Sequence, residues 1–218
     1  MIGSPVGVRT LRIDFVSDLT CPWCAIGLRG LEQAIARLAA ELTVELHLQA
    51  FELNPGIAAA GEPIADYAAR KYGVGAAELA QRQALIRQRG AEAGLALAPR
   101  TIVCNTFDGH RLLHWAASSG RALALKKALL AAYHERGENI ARPEVLLAAV
   151  AEAGLAADTA RELLASGRYA DEVRASVRHW QLLGIASVPA VIIDKRHLIT
   201  GGQPAEVYEL ALQQAAEA

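Results

Sequence analysis

Two cysteines stand three positions apart in Cys21-Pro22-Trp23-Cys24. On the first turn of a helix, thiols at that spacing can close into a small disulfide ring. So short a loop stabilises a fold little, because the gain from a cross-link grows with the length of chain it closes. The pair therefore reads as chemistry rather than as a staple. A thiol is inert until ionised, and the unpaired amides of a helix N-terminus favour the anion. Cys21 falls at such a start and is the expected nucleophile. Cys24, one turn in, is expected to be more buried and to resolve the mixed disulfide, leaving Cys21–Cys24 oxidised. This chemistry calls for a Cys21 sulfur open to solvent and within bonding reach of Cys24. Pro22 and Trp23 bring no cation to hold a thiolate, which predicts a pair less oxidising than strong disulfide-forming oxidants. Two blander readings stand beside this one. A structural zinc site needs four ligands, and with no second Cys-x-x-Cys only Cys104 and a histidine could complete it. The pair could also be a coincidence of a core helix.

The flanking pattern favours the redox reading. Residues 11–17 alternate Leu11, Ile13 and Phe15 with Arg12, Asp14 and Val16, which predicts a strand. Asp18-Leu19-Thr20 is a short loop, and Pro22 suits a first helical position, where its missing N–H costs nothing. Ile26, Leu28, Leu31, Ile35 and Leu38 give helical spacing to about residue 40, and residues 43–51 alternate again. Strand, helix and strand over this span imply a right-handed parallel crossover. Asn54-Pro55-Gly56 breaks the pattern. Residues 61–184 then read as almost wholly helical, with helices at 63–72, 76–93, 106–118, 122–135, 143–153, 158–165 and 170–183, punctuated by Gly and Pro. Residues 190–193 and 197–200 form a hairpin around Asp194-Lys195-Arg196. Gly201-Gly202-Gln203-Pro204 opens a last helix, 205–216, with Val207, Leu210 and Leu212 available to the core. The expected fold is α/β and thioredoxin-like, βαβ…ββα, with a large all-helical insertion. Residues 8–60 and 185–218 make the thioredoxin-like domain, and 61–184 the helical insertion domain.

The 218 residues suffice for one large domain or a domain with an insertion, and 53% are hydrophobic, much of that alanine, which suits helices. A net charge of -1 gives no electrostatic case for nucleic acid or an anionic membrane. No apolar run approaches the roughly 18 residues of a membrane helix. Residues 1–10 show no export-signal pattern. With only 3 cysteines, a structural disulfide framework is not expected, and a reducing cytoplasm is the default.

Ser187-Val188-Pro189 leads into the hairpin. A proline there is either cis, the reading its context favours, or an ordinary trans turn residue. Beside the cysteines, it would leave the Val188 backbone free to pair with an extended substrate.

Cys21-Pro22-Trp23-Cys24, the segment Phe51-Glu52-Leu53-Asn54-Pro55, the helix start from Asn105-Thr106-Phe107 to His110-Arg111-Leu112, and the tail from Val188-Pro189 to Gly201-Gly202-Gln203-Pro204 together resemble the DsbA family, in particular its FrnE-type cytoplasmic branch. The resemblance runs over nearly the whole chain. It implies a thioredoxin fold with a helical insertion and thiol–disulfide oxidoreductase activity. The family also includes 2-hydroxychromene-2-carboxylate isomerases and kappa-class glutathione transferases, which carry serine where this chain has Cys21. Keeping both cysteines points to redox work and leaves glutathione binding open. By the same resemblance, Asn105, Phe107 and His110 face the active-site groove with Pro22, Trp23, Asn54, Val188 and Pro189. Plainer roles are a helix N-cap for Asn105, a packed or solvated histidine at 110, and a strand end at Asn54-Pro55. His110 and His114 have metal-pair spacing, but no acidic residue follows His110, so the zinc-protease pattern is missing. Cys104 reads as a small buried apolar residue. Gly201-Gly202 permits either a close backbone approach or simply a turn.

The expected protein is thus a cytosolic dithiol–disulfide oxidoreductase exchanging disulfides with protein or small-molecule thiols. It needs no metal or organic cofactor, takes glutathione as redox partner or co-substrate, and is a monomer or homodimer. The rival enzyme is a glutathione-dependent isomerase or transferase on an aromatic or polyketide-like substrate, holding glutathione by Asn54, Val188 and Gly201-Gly202. A third class is a chaperone-like binding module with vestigial cysteines.

Overall fold

Leu11, Ile13 and Phe15 line one side of β1 (Arg9–Ser17), the strand that leads directly into the cysteine loop. They enter a core shared with Leu112, Leu129 and Leu146. Val16, on the opposite side, packs with Phe51, Trp180 and Ala190 in a smaller cluster. Burial on both faces is the mark of a central strand. The fold is that of a computed structural model, which describes residues 9–217. Residue 8, where the expected first segment begins, and the residues before it, read above as lacking an export signal, lie outside the described residues, as does residue 218.

β1 pairs in parallel with β2 (Leu42–Ala50) and antiparallel with β5 (Ala190–Ile193), which pairs with β6 (His197–Thr200). The sheet order is β2-β1-β5-β6. Between β1 and β2 runs α1 (Pro22–Arg37), which buries Ile26, Leu28, Leu31 and Ala34. The β5–β6 turn places Asp194 and Lys195 at φ 48° and 58°. Both central residues at positive φ are what a tight two-strand hairpin requires.

Between β2 and β5 lie α2 (Ile64–Tyr72), α3 (Ala76–Glu92), α4 (Phe107–Ala117), α5 (Ala122–His134), α6 (Pro143–Glu152), α7 (Ala157–Ala165) and α8 (Ala170–Leu182). These match the expected helices to within a residue or so at each end. The region is not wholly helical: β3 (Glu62–Pro63) and β4 (Ile102–Val103) form a short antiparallel ladder. Two residues carry no periodicity, so nothing in the apolar pattern could announce it. The main core runs without a break from the sheet into α4, α5 and α6. Among the described residues no helix is long and apolar enough to cross a membrane.

The last helix, α9 (Ala205–Glu217), corrects one expectation. Its buried face is Ala205, Tyr208, Leu212 and Ala215, while Val207 and Leu210 are exposed. α9 packs on α1, and the 205/208/212/215 spacing is the stripe that such packing selects. Valine and leucine at 207 and 210 fall on the far side of the helix.

Candidate active site

Cys21 is the N-cap of α1, with extended backbone (φ -85°, ψ 114°) and Pro22 as the first helical residue. Its carbonyl accepts the amides of Cys24 at 3.0 Å and Ala25 at 3.4 Å, and its own amide donates to the Asp18 carbonyl at 3.4 Å. Both cysteines are free thiols, close enough to hydrogen-bond. The Cys24 thiol, above all, holds Cys21 below the ordinary thiol range. Burial opposes this, and the amides of Cys24 and Trp23 reinforce it. Cys24 is pushed well above that range, first by burial and then by the hydrogen bond and charge of Cys21. One thiol is thus primed to ionise and the other held protonated.

Cys21 is not open to bulk solvent. It is 5% exposed, against 0% for Cys24, and its Sγ lies 3.5 Å from the Val188 carbonyl, to which the thiol can donate. The Val188–Pro189 peptide is cis. What the sequence places at an open helix tip is covered by this loop and by helices packed around it. Access runs through a cavity of about 340 Å³. It is lined by Thr20, Cys21, Pro22, Trp23, Leu53, Asn54 and Val188 together with Tyr67, Tyr72, Leu85, Arg100 and Val103. Roomier surface grooves of about 640 and 800 Å³ lie elsewhere, and neither cysteine lines them.

Asn54 is fixed in that wall: its Oδ1 accepts from the Tyr67 hydroxyl at 2.8 Å and from Lys71 Nζ at 2.7 Å. The cavity thus gathers Pro22, Trp23, Asn54 and Val188 around Cys21. Pro189, Asn105, Phe107 and His110 do not line it. Asn105 Nδ2 donates to the carbonyls of Pro55 (3.4 Å) and Ile57 (3.1 Å), and its Oδ1 accepts the Phe107 amide at 2.9 Å. It ties the start of α4 to the Asn54-Pro55 loop. The Phe107 ring stacks under the Arg174 guanidinium, 4.9 Å from its centre.

His110 is buried, its Nε2 3.6 Å from Asp18 Oδ1, an ion-pair separation rather than a hydrogen bond. Neither atom has a hydrogen-bond partner among the described residues. Burial raises the Asp18 carboxyl, but His110, the Leu53 amide and Thr106 outweigh it and keep it below the usual carboxylate range. Here the histidine packs beneath the loop that carries Cys21 and faces a small separate cavity of about 50 Å³. Among the described residues no group of three or more His, Cys, Asp or Glu is arranged to hold a metal ion. Cys104 is 1% exposed, and burial pushes its thiol up to about 12.

Lys126, Asp18 and His134 were not singled out by motif. Lys126 and His134 had a readable signal. In α5, Lys126 sits at the same spacing as Leu129, Leu130 and Tyr133, on the face the apolar pattern assigns to the core, and His134 follows Leu130 by one turn. Pro22-Trp23 lacks a cation, but Lys126 supplies one from another element: its charge acts on Cys24.

The Gly201-Gly202 turn makes the close approach. A Cβ on Gly202 would stand 2.6 Å from the Trp23 carbonyl oxygen. A Cβ on Gly27 would stand 3.1 Å from Pro189 Cγ and 3.2 Å from Gly202 Cα. Backbone meets backbone here, so neither side can rotate away. Gly202→Ala is expected to cost about 1–3 kcal/mol, the usual range for overpacking. Gly56→Ala, with nothing within 4 Å of its added carbon, should change little. Thermal unfolding of the two variants beside the wild type checks this, and equal midpoints would refute the contact.

A family model described as a DSBA-like thioredoxin domain matches residues 12–213. A probable DsbA oxidoreductase from Streptomyces coelicolor is 35% identical, over 95% of this chain and 90% of that one, and superposes with a TM-score of 0.89. The same fold recurs in a 2-hydroxychromene-2-carboxylate isomerase (14% identity, 94% of this chain and 96% of that one, TM-score 0.69). It recurs also in the cytosolic disulfide reductase DsbM of Pseudomonas aeruginosa, solved with GSH (19%, 95% and 100%, TM-score 0.64). From the strand before the dithiol to the helix that packs behind it, this chain belongs to the DsbA-like thioredoxin family.

Proposed function

We propose that this protein is a cytosolic thiol–disulfide oxidoreductase working through Cys21 and Cys24. The observation that carries the reading is the opposed setting of the two thiols at one helix start, Cys21 held low and Cys24 high, with Cys21 on the wall of a cavity. The Cys21 thiolate attacks one sulfur of a substrate disulfide. A Cys21–substrate bond forms, and the other half leaves as a thiolate. Cys24 then loses its proton and attacks the Cys21 sulfur. The Cys21–Cys24 bond forms and the second substrate thiolate departs. The substrate gains two electrons and the enzyme is left oxidised. Two molecules of glutathione would restore the dithiol and leave as glutathione disulfide. The thioredoxin-like segments supply the sulfurs, and α2 and α3 of the helical insertion wall the cavity. A disulfide reductase sharing this fold, cytosolic and solved with GSH, supports both the compartment and the redox partner. Asn54 and Val188, beside Cys21, are where we place the substrate backbone.

The same fold in an isomerase keeps one rival in view, a glutathione-dependent isomerase or transferase. Reduction of insulin disulfides at the expense of glutathione, by the wild type and by Cys24→Ala, separates the two. Turnover is expected in the wild type and only background in Cys24→Ala, where the first mixed disulfide cannot be resolved. Full turnover without Cys24 would overturn the dithiol mechanism.

A further inference from the structure

Lys126 is fully buried, with 0% exposure. Its Nζ donates to Ser17 Oγ at 2.5 Å and lies 5.6 Å from the centre of the Phe15 ring. No carboxylate lies within ion-pair distance of it among the described residues. A buried ammonium without a countercharge is costly, and such a group normally either finds an anion or gives up its proton. Ser17, to which Nζ donates, adjoins Asp18 at the start of the cysteine loop. The charges of Cys24 from α1 and of Asp18 and Cys21 from that loop act on the amine, and His110 and His114 of α4 line the same small cavity with it. Asp18 is already engaged by His110 and by the Leu53 amide. The anion left for Lys126 is the Cys24 thiolate, which does not exist until the resolving step.

We propose that Lys126 takes up the proton of Cys24 when that thiol resolves the mixed disulfide, so that a side chain from the helical insertion ionises the second cysteine. The inference rests on the dithiol mechanism above. Burial lowers the amine to about 8, with the charges of Cys24, Asp18 and Cys21 pulling back upward. In the mixed disulfide Cys21 carries no charge and Cys24 is a neutral thiol, so two of those three restraints vanish and the neutral amine becomes the more accessible state. The proton moves from Cys24 Sγ to Lys126 Nζ. The thiolate so formed attacks Cys21, the substrate thiolate departs, and the proton on Nζ passes to water. Run backwards, the ammonium reprotonates Cys24 as the disulfide is opened. Ser17, bonded to Nζ on the strand that leads into the cysteine loop, holds the amine in place.

Rapid-quench mass spectrometry with glutathione disulfide tests this. In a Cys24→Ser background the growth of glutathionylated protein reports attack by Cys21 alone, and in the native dithiol its decay reports resolution. Lys126→Met is expected to leave the attack rate as it was, to slow resolution about a hundredfold, the lower range for a positioned base, and to remove an inflection of the resolving rate that lies below pH 8, because the mixed disulfide has lost the charges that pull the amine upward. Lys126→Arg, which keeps a charge but holds its proton, should be as slow as Lys126→Met. Wild-type resolution in Lys126→Met, or rescue by Lys126→Arg, would overturn the proton transfer. If Lys126→Met does not fold, the wild-type profile decides alone, and a resolving rate with no inflection at or below pH 8 overturns it. Should the wild type form no Cys21–Cys24 disulfide, the dithiol mechanism itself falls and the inference with it.

Discussion

Iodoacetamide at neutral pH is expected to label Cys21 at least about fiftyfold faster than Cys104, with Cys24 also left behind. The ratio follows from the proton affinities. Cys104 is pushed up to about 12 by burial, whereas Cys21 lies below the ordinary 9.0. Each unit is a factor of ten in thiolate, so Cys21 holds about a thousandfold more of it or better. A thiolate of lower basicity is the weaker nucleophile, and over three units that takes back roughly twentyfold. Access adds to the difference, because Cys21 lines the cavity while Cys104 packs in the core. Peptide mapping after timed labelling reads the three sites separately. Cys21→Ser should leave the folded protein almost unlabelled over the same interval, and denaturant should make the remaining thiols react alike. Equal labelling of Cys21 and Cys104 in the native wild type would mean that the helix start does not activate its thiol.

The parts of this site legible in the sequence are those that local rules govern. Apolar alternation marks β1 and β2, the hairpin strands end where their branched residues end, and Pro22 marks the first residue of α1. What lay beyond reach depends on distant segments. Cys21 is covered because the Val188 loop and two insertion helices close over it, and nothing near position 21 encodes them. Val207 and Leu210 misled because α9 chooses its buried face by packing on α1, through Tyr208 and Ala205, not by counting hydrophobic residues. Of the two roles open to His110, the groove and the packed interior, the structure takes the second and seats it beneath the loop beside Asp18, a depth that linear spacing does not express. Lys126 shows a signal passed over: a cation on the apolar stripe of a helix is either an error of register or a group that the core has a use for.

Acid is expected to weaken the fold from about pH 6.5 downward, through His134. This residue ends α5 at 2% exposure, its ring 4.7 Å from that of Tyr133 and its Nε2 2.9 Å from the Leu19 carbonyl, to which the ring N–H donates. Burial, and then the charge of Arg100, lower the imidazole from 6.5 to about 3. The unfolded chain takes a proton in that interval that the folded chain refuses. The stabilising contribution is therefore whole above pH 6.5 and drains away as pH falls toward 3. Its full size is roughly 5 kcal/mol, comparable to the net stability of many domains. Asp18, held below the usual carboxylate range in the folded state, adds a loss of the same sign at the acid end. Urea midpoints across this pH range measure the slope. His134→Gln, which can still donate to Leu19 but does not titrate, should flatten it, at a cost near neutrality of about 1 kcal/mol for a poorer hydrogen bond. Parallel loss in the two proteins would exonerate His134. Leu19 is two residues from Cys21. The Nε2–H bond to its carbonyl survives protonation, but a charged ring is costly in this buried site, and when it is driven out the tether of the active-site loop goes with it. Selective labelling of Cys21 should therefore fade, at pH values where most of the helix signal persists, in the wild type and not in His134→Gln.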